Sequence, residues 1–235
     1  MTTTGTVRDE DRERRGRGRP QGHGPGFEDR RREIVDLATA LFAEQGYSGT
    51  SVSDLMRVTG LGKGALYHYI ESKENLLVEI SSQVMTPLIA RMREIVALEE
   101  SPLVRLRMIS EAILDGIAQR PEHVWVYEHD YRYLSGENRT RFLQQRHDFE
   151  GLVFQLGNEA IARGLFRGSD VRLLMFQFFS LHKQTAQWFH RDGPWAPSEL
   201  SREYCRTLFN GFAADAASLD ALENRIETLR RPTAS

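Results

Sequence analysis

An all-α fold is what this chain predicts, and three observations predict it. Apolar residues recur at three- and four-residue steps; Ile34, Leu37, Ala38, Leu41 and Phe42, for example, share one helix face. No stretch alternates apolar and polar residues with the period of two that a half-buried strand needs. The punctuation is also that of helices, with Ser, Thr or Asp before a periodic run, Pro at its start and Gly past its end.

The 235 residues are 40 % apolar, enough to bury a sizeable core. No apolar run approaches the ~20 residues of a membrane span, so no membrane partner is expected. The N-terminus lacks an apolar segment behind its charges and does not read as a secretory signal. A single cysteine, Cys205, cannot form an internal disulfide, which fits a reducing cytoplasm. With no neighbouring His to activate it, Cys205 reads as a small residue in a packed helix.

Taken in order, residues 1–26 are rich in Arg, Gly, Thr and Asp and are expected to form a disordered arm, because they offer almost nothing to bury. A helix from Glu28 carries the stripe quoted above and ends at Gly46. A short helix then begins behind Thr50 and Ser51, both good N-cap residues, and stops at Gly60, which suits a left-handed residue. After Leu61-Gly62 a second short helix runs from Lys63 to Tyr69. Two such helices joined by a tight glycine turn make a helix-turn-helix, whose second helix can enter a DNA major groove. On that helix Lys63, Tyr67 and His68 are expected to face outward, while Leu55, Val58, Leu61 and Leu66 pack inward. Residues 27–75 are thus read as the DNA-binding domain.

Ser72 opens a helix through Leu76, Leu77, Ile80, Val84 and Leu88, with a kink expected at Pro87. It is expected to bridge into a second domain, residues 76–217. There, Ser101-Pro102 and Pro121 each open a helix, a long helix spans about Glu137 to Arg163, and Asp170 starts another reaching His190. After the loop Asp192–Pro197, Ser198 caps a helix to about Ala217. Residues 218–235 form a helical extension or a tail.

The segment carrying Gly46-Tyr47, Thr50-Ser51-Val52, Asp54, Gly60, Lys63-Gly64, Leu66-Tyr67-His68-Tyr69 and Ser72-Lys73-Glu74 resembles the signature of the tetracycline-repressor (TetR) family. Two positions depart from it. Gly62 stands where Ser or Thr usually caps the recognition helix, at a cost of a few tenths of a kcal/mol, and Ile70 stands where Phe is usual. The resemblance implies a transcriptional regulator that binds double-stranded DNA as a homodimer. It implies roles for Thr50, Ser51 and Lys73 at the DNA backbone. Chemistry supports the rest of the set: Lys63 can donate to guanine edges or phosphates, the Ala65 methyl can meet a thymine methyl, and Tyr67 and His68 can donate to phosphates. Gly64 lets the helix approach closely. Tyr69 reads as a packing aromatic.

Within the arm, Arg17-Gly18-Arg19-Pro20 resembles the core of the AT-hook, a minor-groove element; a plain solubilising tail is the other reading. The net charge of −2 is not that of a strongly basic binder, and residues 27–76 carry six basic against eight acidic residues. A shallow salt dependence is therefore expected.

In the second domain, aromatic residues are numerous and fit either a packed bundle or a bundle around a ligand pocket. Trp125, His129, Phe154, Phe179, Lys183 and Trp188 are the expected ligand residues. Lys183 reads either as an anchor for a carboxylate or phosphate or as a solvated side chain. Leu173, Phe176, Tyr204, Leu208, Gly211 and Phe212 are expected to form a two-fold dimer surface. Val126-Tyr127-Glu128, Leu134, Arg163-Gly164-Leu165-Phe166-Arg167 and Trp188–Pro194 are similar to regulators of fatty-acid and steroid breakdown that respond to acyl-CoA thioesters. His123, His129, His147, Glu128, Asp130 and Asp148 show no metal-ligand spacing, and neither a nucleophile with its base nor a phosphate-cradling loop is present. No metal, cofactor or enzymatic activity is expected. The expected function is a repressor of a palindromic operator, released by a small apolar, anionic ligand. A constitutive DNA-binding regulator is the alternative.

Overall fold

A computed structural model describes residues 25–167 and 170–210. The arm with Arg17 and Arg19, the dimer candidates Gly211 and Phe212, and residues 218–235 lie outside the described residues. Among the described residues all regular structure is helical: α1 (Pro25–Gln45), α2 (Val52–Thr59), α3 (Lys63–Ile70), α4 (Lys73–Val96), α5 (Pro102–Gln119), α6 (Pro121–Asp130), α7 (Gly136–Ala162), α8 (Val171–Trp188) and α9 (Pro197–Asn210), with a 3-10 turn at Tyr131–Tyr133. None of the described helices is long and apolar enough to cross a membrane.

The caps explain where the short helices begin and end. Ser51 and Asp54 form a reciprocal capping box at the start of α2, Ser51 Oγ accepting from Asp54 N–H at 3.1 Å and Asp54 Oδ2 from Ser51 N–H at 3.0 Å. The Ser51 hydroxyl also donates to Asp54 Oδ2 at 2.6 Å, and this bond, the Ser51 N–H and the Arg57 guanidinium hold the Asp54 carboxyl down at about 2. Gly60 closes α2 in the left-handed region with φ 68°, where a side chain would be strained. Gly62 is the N-cap of α3 and, lacking a side chain, makes no cap bond. Ser72 caps α4 through Asn75 N–H at 3.0 Å.

Two hydrophobic cores result. The first gathers Ile34, Ala38 and Phe42 of α1, Leu55 of α2, Leu66 and Ile70 of α3 and Leu76, Leu77 and Ile80 of α4, and extends to Val126, Tyr127, Leu134 and Phe142. The second joins Met92 and Ile95 of α4 to Leu106, Ile109 and Leu114 of α5, Val153 and Leu156 of α7, Met175 and Phe178 of α8 and Leu200 and Cys205 of α9. The boundary expected between residues 75 and 76 therefore falls inside α4, which is one continuous helix serving both cores. It also continues through Pro87. Pro87 has no N–H to give the Gln83 carbonyl, so that acceptor lacks its helical partner.

An ion pair ties the second bundle together from within. Arg105, 6 % exposed, donates to Glu159 at 2.6 and 2.7 Å and to the Val96 carbonyl at 2.9 Å, joining α5 to α7 and the end of α4.

The α7–α8 contact is set by Gly157. A Cβ built there would stand 2.8 Å from Val171 Cγ2 and 3.0 Å from Met175 Sδ. Val171 is β-branched and stiff, so it cannot yield by turning a distant torsion. Gly157→Ala is therefore expected to destabilise the fold by about 1–3 kcal/mol, despite the better helix propensity of Ala. Urea unfolding followed by far-UV circular dichroism checks it, and an unchanged midpoint would show the helices to be further apart than described.

Candidate nucleic-acid interface and ligand cavity

The exposed edge of α3 is built by burying its other side. Leu66 and Ile70 are sequestered in the first core, and the same turn of helix leaves Lys63, Gly64, Ala65 and His68 exposed. Tyr67 is half-buried against that core, so its ring packs while its edge faces out. A Cβ on Gly64 would meet nothing within 4 Å, so no neighbour within the described residues demands glycine there. Tyr69 stacks on Phe27 with ring centroids 4.7 Å apart, as a packing aromatic should. Glu71 then closes α3 with φ 59°, a left-handed conformation that costs a residue with a side chain of order 1–3 kcal/mol.

The three residues implicated at the DNA backbone are placed differently from one another. Ser51 is exposed at the N-terminus of α2. Thr50 is 2 % exposed, and its hydroxyl donates to the Gly46 carbonyl at 2.9 Å, so its side chain shapes the turn. Lys73 turns inward: its ammonium donates to the Tyr47 carbonyl and lies 4.0 Å from the Tyr47 ring centroid. Burial lowers the Lys73 pKa, with Asp130 opposing.

Around Lys73 the reading head is fastened to the second bundle. Tyr47 stacks on Tyr133 at 5.1 Å, and Glu74 accepts from Ser135 N–H at 2.9 Å and from Asn138 Nδ2 at 3.2 Å. These bonds lower the Glu74 pKa. On the other side of the seam His123 of α6 stands 3.1 Å from Asp36 of α1.

A cavity of about 600 Å³ opens between α4, α5, α6, α7 and α8. Its apolar wall includes Val84, Leu88, Ile113, Val124, Phe149 and Phe179, and its polar wall Arg91, Asp115, Arg120, Tyr127, Glu128, Arg146, Glu150 and Lys183. Burial is the main cause of raised pKa values in the Tyr127 phenol and the Asp115 carboxyl. Lys183 pairs with Glu128 at 2.8 Å, Arg146 with Glu150 at 3.0 Å and Arg91 with Glu94 at 2.9 Å, so three of the cavity's four Lys and Arg side chains already face carboxylates. Arg120 donates instead to the neutral amide of Gln83 at 2.7 Å.

Of the expected ligand residues, Phe179 and Lys183 line this cavity. The others lie elsewhere. Trp125 and His129 stack on each other at 3.9 Å, with His129 Nδ1 bonded to the Trp125 carbonyl at 2.8 Å. Phe154 packs edge-on against Phe176 and Phe179, and Trp188 meets Trp195 edge-on at 6.1 Å. Arg91, Arg120 and Arg146 were not foreseen. Arg120 gave a faint signal, standing just before Pro121 where one helix must stop and the next begin.

Within the cavity's lining His182, which is buried, has Nδ1 2.6 Å from the Phe178 carbonyl and Nε2 2.7 Å from Ser110 Oγ. The carbonyl can only accept, so Nδ1 carries the proton and Nε2 accepts from Ser110. Ser201 donates to Ser110 at 2.7 Å, and Arg107 donates to Ser201 at 2.7 Å. The chain crosses from α8 through α5 to α9 and leaves His182 with no nitrogen to offer a ligand. Of the dimer candidates, Leu173 and Phe176 on α8 are 59 % and 54 % exposed. Tyr204 turns inward, its hydroxyl 2.8 Å from Thr185 Oγ1, and Leu208 is half-buried.

Comparison with known proteins supplies the context. Residues 34–80 match the family described as bacterial regulatory proteins, tetR family, and residues 99–212 match the tetracyclin repressor-like C-terminal domain. The crystal structure of PfmR, a TetR family transcriptional regulator from Thermus thermophilus, is 31 % identical with a TM-score of 0.71, covering 77 % of this chain and 98 % of that one. The transcriptional repressor KstR2 of Mycobacterium tuberculosis is 28 % identical over 188 residues, 79 % of this chain and 94 % of the relative. The structure of AibR in complex with isovaleryl coenzyme A and operator DNA is 25 % identical with a TM-score of 0.69, covering 78 % of this chain and all of that one.

The buried His182 makes stability depend on acidity. Burial holds its pKa down at about 4, against 6.5 when unfolded. The unfolded chain therefore takes up a proton at His182 before the folded one does, and stability falls as pH drops from about 6.5 toward 4. By pH 5 this group alone is expected to remove about 2 kcal/mol. Urea midpoints at pH 7 and pH 5 check it: His182→Gln should flatten the difference, and an equal fall in both proteins would exonerate the residue.

Proposed function

Because this chain belongs to the TetR family of bacterial transcriptional regulators, we propose that it is a cytoplasmic repressor that binds a palindromic operator as a homodimer. An apolar, anionic ligand of the acyl-CoA or steroid-acid class releases it. Arrangement is the observation that carries this reading. The cavity of about 600 Å³ and the exposed edge of α3 share α4, whose first turn is fastened to the reading head and whose middle lines the cavity.

The DNA contact rests on Ser51, Lys63, Gly64, Ala65, Tyr67 and His68, with Thr50 shaping the turn that presents them and Lys73 fastening it. The cavity supplies an apolar lining for a hydrocarbon body. Arg91, Arg120, Arg146 and Lys183 supply positive charge for a carboxylate or phosphates. AibR, solved in complex with isovaleryl coenzyme A, and KstR2, named as a ketosteroid regulator, support that ligand class. Dimerisation through α8 is supported by Leu173 and Phe176, large apolar side chains that a single chain leaves in water. Two copies would present two α3 helices to half-sites about one helical turn apart.

Ligand control needs a preference for one of two conformations, and typical couplings of about 1–3 kcal/mol change operator affinity roughly 5- to 150-fold. In a titration with DNA flanking its own gene, a Lys63→Ala/Tyr67→Ala variant should lose operator binding while keeping its fold and oligomeric state; undiminished binding would refute the assignment of α3.

A panel of acyl-CoA thioesters and fatty or steroid acids should contain a compound that raises Tm and weakens operator binding by such a factor. A protein that holds its operator equally tightly with every compound, and shows no thermal shift, would be the constitutive regulator instead.

A further inference from the structure

We propose that the deep end of the cavity holds a subsite for a ligand hydroxyl, formed by the Tyr127 phenol and the Glu128 carboxylate. The proposal rests on the reading of the cavity given above and names its ligand more closely. That ligand is a carboxylic acid with a hydroxyl at its far end, about 10 Å from the acid group.

The Tyr127 hydroxyl is the first observation. The residue is 7 % exposed and lines the cavity, yet its phenol oxygen has no hydrogen-bond partner among the described residues. A buried phenol ordinarily finds one. Packing accounts for the ring, which lies 5.1 Å from the Phe142 ring, but not for the hydroxyl. The charged groups that act on this hydroxyl are Glu128, Arg146 and Glu150, and all three line the cavity. The oxygen therefore faces the polar wall. Burial raises its pKa, so the phenol keeps its proton and can donate it to a bond.

Glu128 is the second. Of the charges near the phenol it acts most strongly, which places the two groups together. Its Oε2 is buried 2.8 Å from Lys183 Nζ, but the pair lies off hydrogen-bonding geometry. That oxygen has its counter-charge and still lacks a donor. An acceptor without a donor beside a donor without an acceptor is the complement of a hydroxyl, which accepts from Tyr127 and donates to Glu128. A ketone can accept from Tyr127 but turns a lone pair toward the carboxylate. A methyl group leaves both protein groups without partners.

Spacing along α6 is the third. Arg120, Val124, Tyr127 and Glu128 recur at i, i+4, i+7 and i+8, and all of them line the cavity. Arg120 is exposed at the mouth, whereas Tyr127 is buried two turns further along, a rise of about 10 Å. Val124 stands between them. An anion on Arg120 and a hydroxyl on Tyr127 are thus joined across an apolar stretch that suits a hydrocarbon body. The cavity of about 600 Å³ is of the size that encloses such a molecule.

The test is calorimetric titration of the full chain with decanoic acid, whose chain spans that distance. Two derivatives carry a hydroxyl or a keto group on the carbon before the last. The hydroxy acid should bind roughly 5- to 150-fold more tightly than decanoic acid, which leaves the phenol and the carboxylate without partners. The keto acid should fall between them. A hydroxyl moved to the carbon beside the carboxyl group should gain nothing. Tyr127→Phe keeps the ring on Phe142 and removes only the oxygen. It should erase most of the hydroxyl's advantage and bind decanoic acid at least as tightly as before. Equal binding of the hydroxy and plain acids by the unaltered chain would overturn the proposal without recourse to a variant. So would a keto acid that binds as tightly as the hydroxy acid, or a preference that Tyr127→Phe retains in full. If no acid of the series binds, the reading of the cavity as an acid site has failed and the subsite with it; binding that ignores the hydroxyl sinks the subsite alone.

Discussion

One helix, α4, is required by two hydrophobic cores at once, and the rest of the molecule is arranged around that constraint. Leu76, Leu77 and Ile80 complete the core beneath the helix-turn-helix, while Met92 and Ile95 belong to the second bundle. Burying a side chain of this size contributes about 1.5–3 kcal/mol. Neither end of α4 can leave its core without giving up several such contributions. A displacement of its middle must therefore be carried along the helix to both ends. The middle is where the cavity lies, at Gln83, Val84, Met85, Pro87, Leu88 and Arg91. Pro87 weakens α4 there by deleting one backbone bond, whereas Ser72 and its bond to Asn75 secure the first turn.

The seam between the two parts contrasts with the cores. It is held by Glu74 on Ser135 and Asn138, by Lys73 on Tyr47, by the Tyr47–Tyr133 stack and by the His123–Asp36 contact. Half-buried polar contacts are each worth on the order of 1 kcal/mol. Their sum is comparable to the couplings by which effectors work, and far below the stabilisation in either core. These polar contacts can rearrange at modest cost, but the first core also crosses the seam through Val126, Tyr127, Leu134 and Phe142, so a movement there must slide that core as well. α6 enters this balance from both sides, since Val124, Tyr127 and Glu128 face the cavity while His123 faces α1.

The helices were legible because their signals are local. A capping residue, a proline at the first turn and a periodic stripe act within a few residues, and α2 to α5 fall where those signals stand, while α1 begins at Pro25, three residues before the Glu28 start read from the sequence. The sequence-based reading extended α6 to Leu134, yet Tyr131–Tyr133 tightens into a 3-10 turn that brings Tyr133 onto Tyr47. That partner is distant in sequence and invisible to periodicity. The same limit governed side-chain direction. Lys73 and Thr50 are polar residues at a helix junction, for which facing outward is the ordinary expectation. Tyr47, which claims Lys73, comes close only once α1 and α4 have packed, whereas Gly46, which claims Thr50, is four residues away in the turn after α1. For the cavity, composition identified an aromatic bundle but not which aromatics bound empty space. Phe179 faces the void and Phe154 packs behind it, a distinction set by crossing helices.

The cavity's charges narrow what an effector can be. Lys183 and Arg146 already hold carboxylates, so an anion approaching either must displace Glu128 or Glu150. In the Lys183–Glu128 pair the lysine is 45 % exposed but the glutamate only 16 %, so drawing Lys183 away would leave a largely buried carboxylate without its cation. Arg120 requires no such exchange, because a ligand carboxylate or phosphate would replace a neutral amide with a charge-assisted bond. Arg120 also joins the end of α5 to Gln83 of α4. Gln83 is the residue whose backbone carbonyl Pro87 leaves without its helical partner, so Arg120 grips α4 on the turn that Pro87 weakens. Drawing Arg120 toward an anion would release that turn of α4 from α5, while apolar ligand atoms against Val84 and Leu88 press on it from inside. On the proposed reading, a ligand with only a hydrocarbon body or only a charged head would engage one of these two effects. A molecule that carries both, separated by the depth of the cavity, would act on the same turn of α4 from both directions.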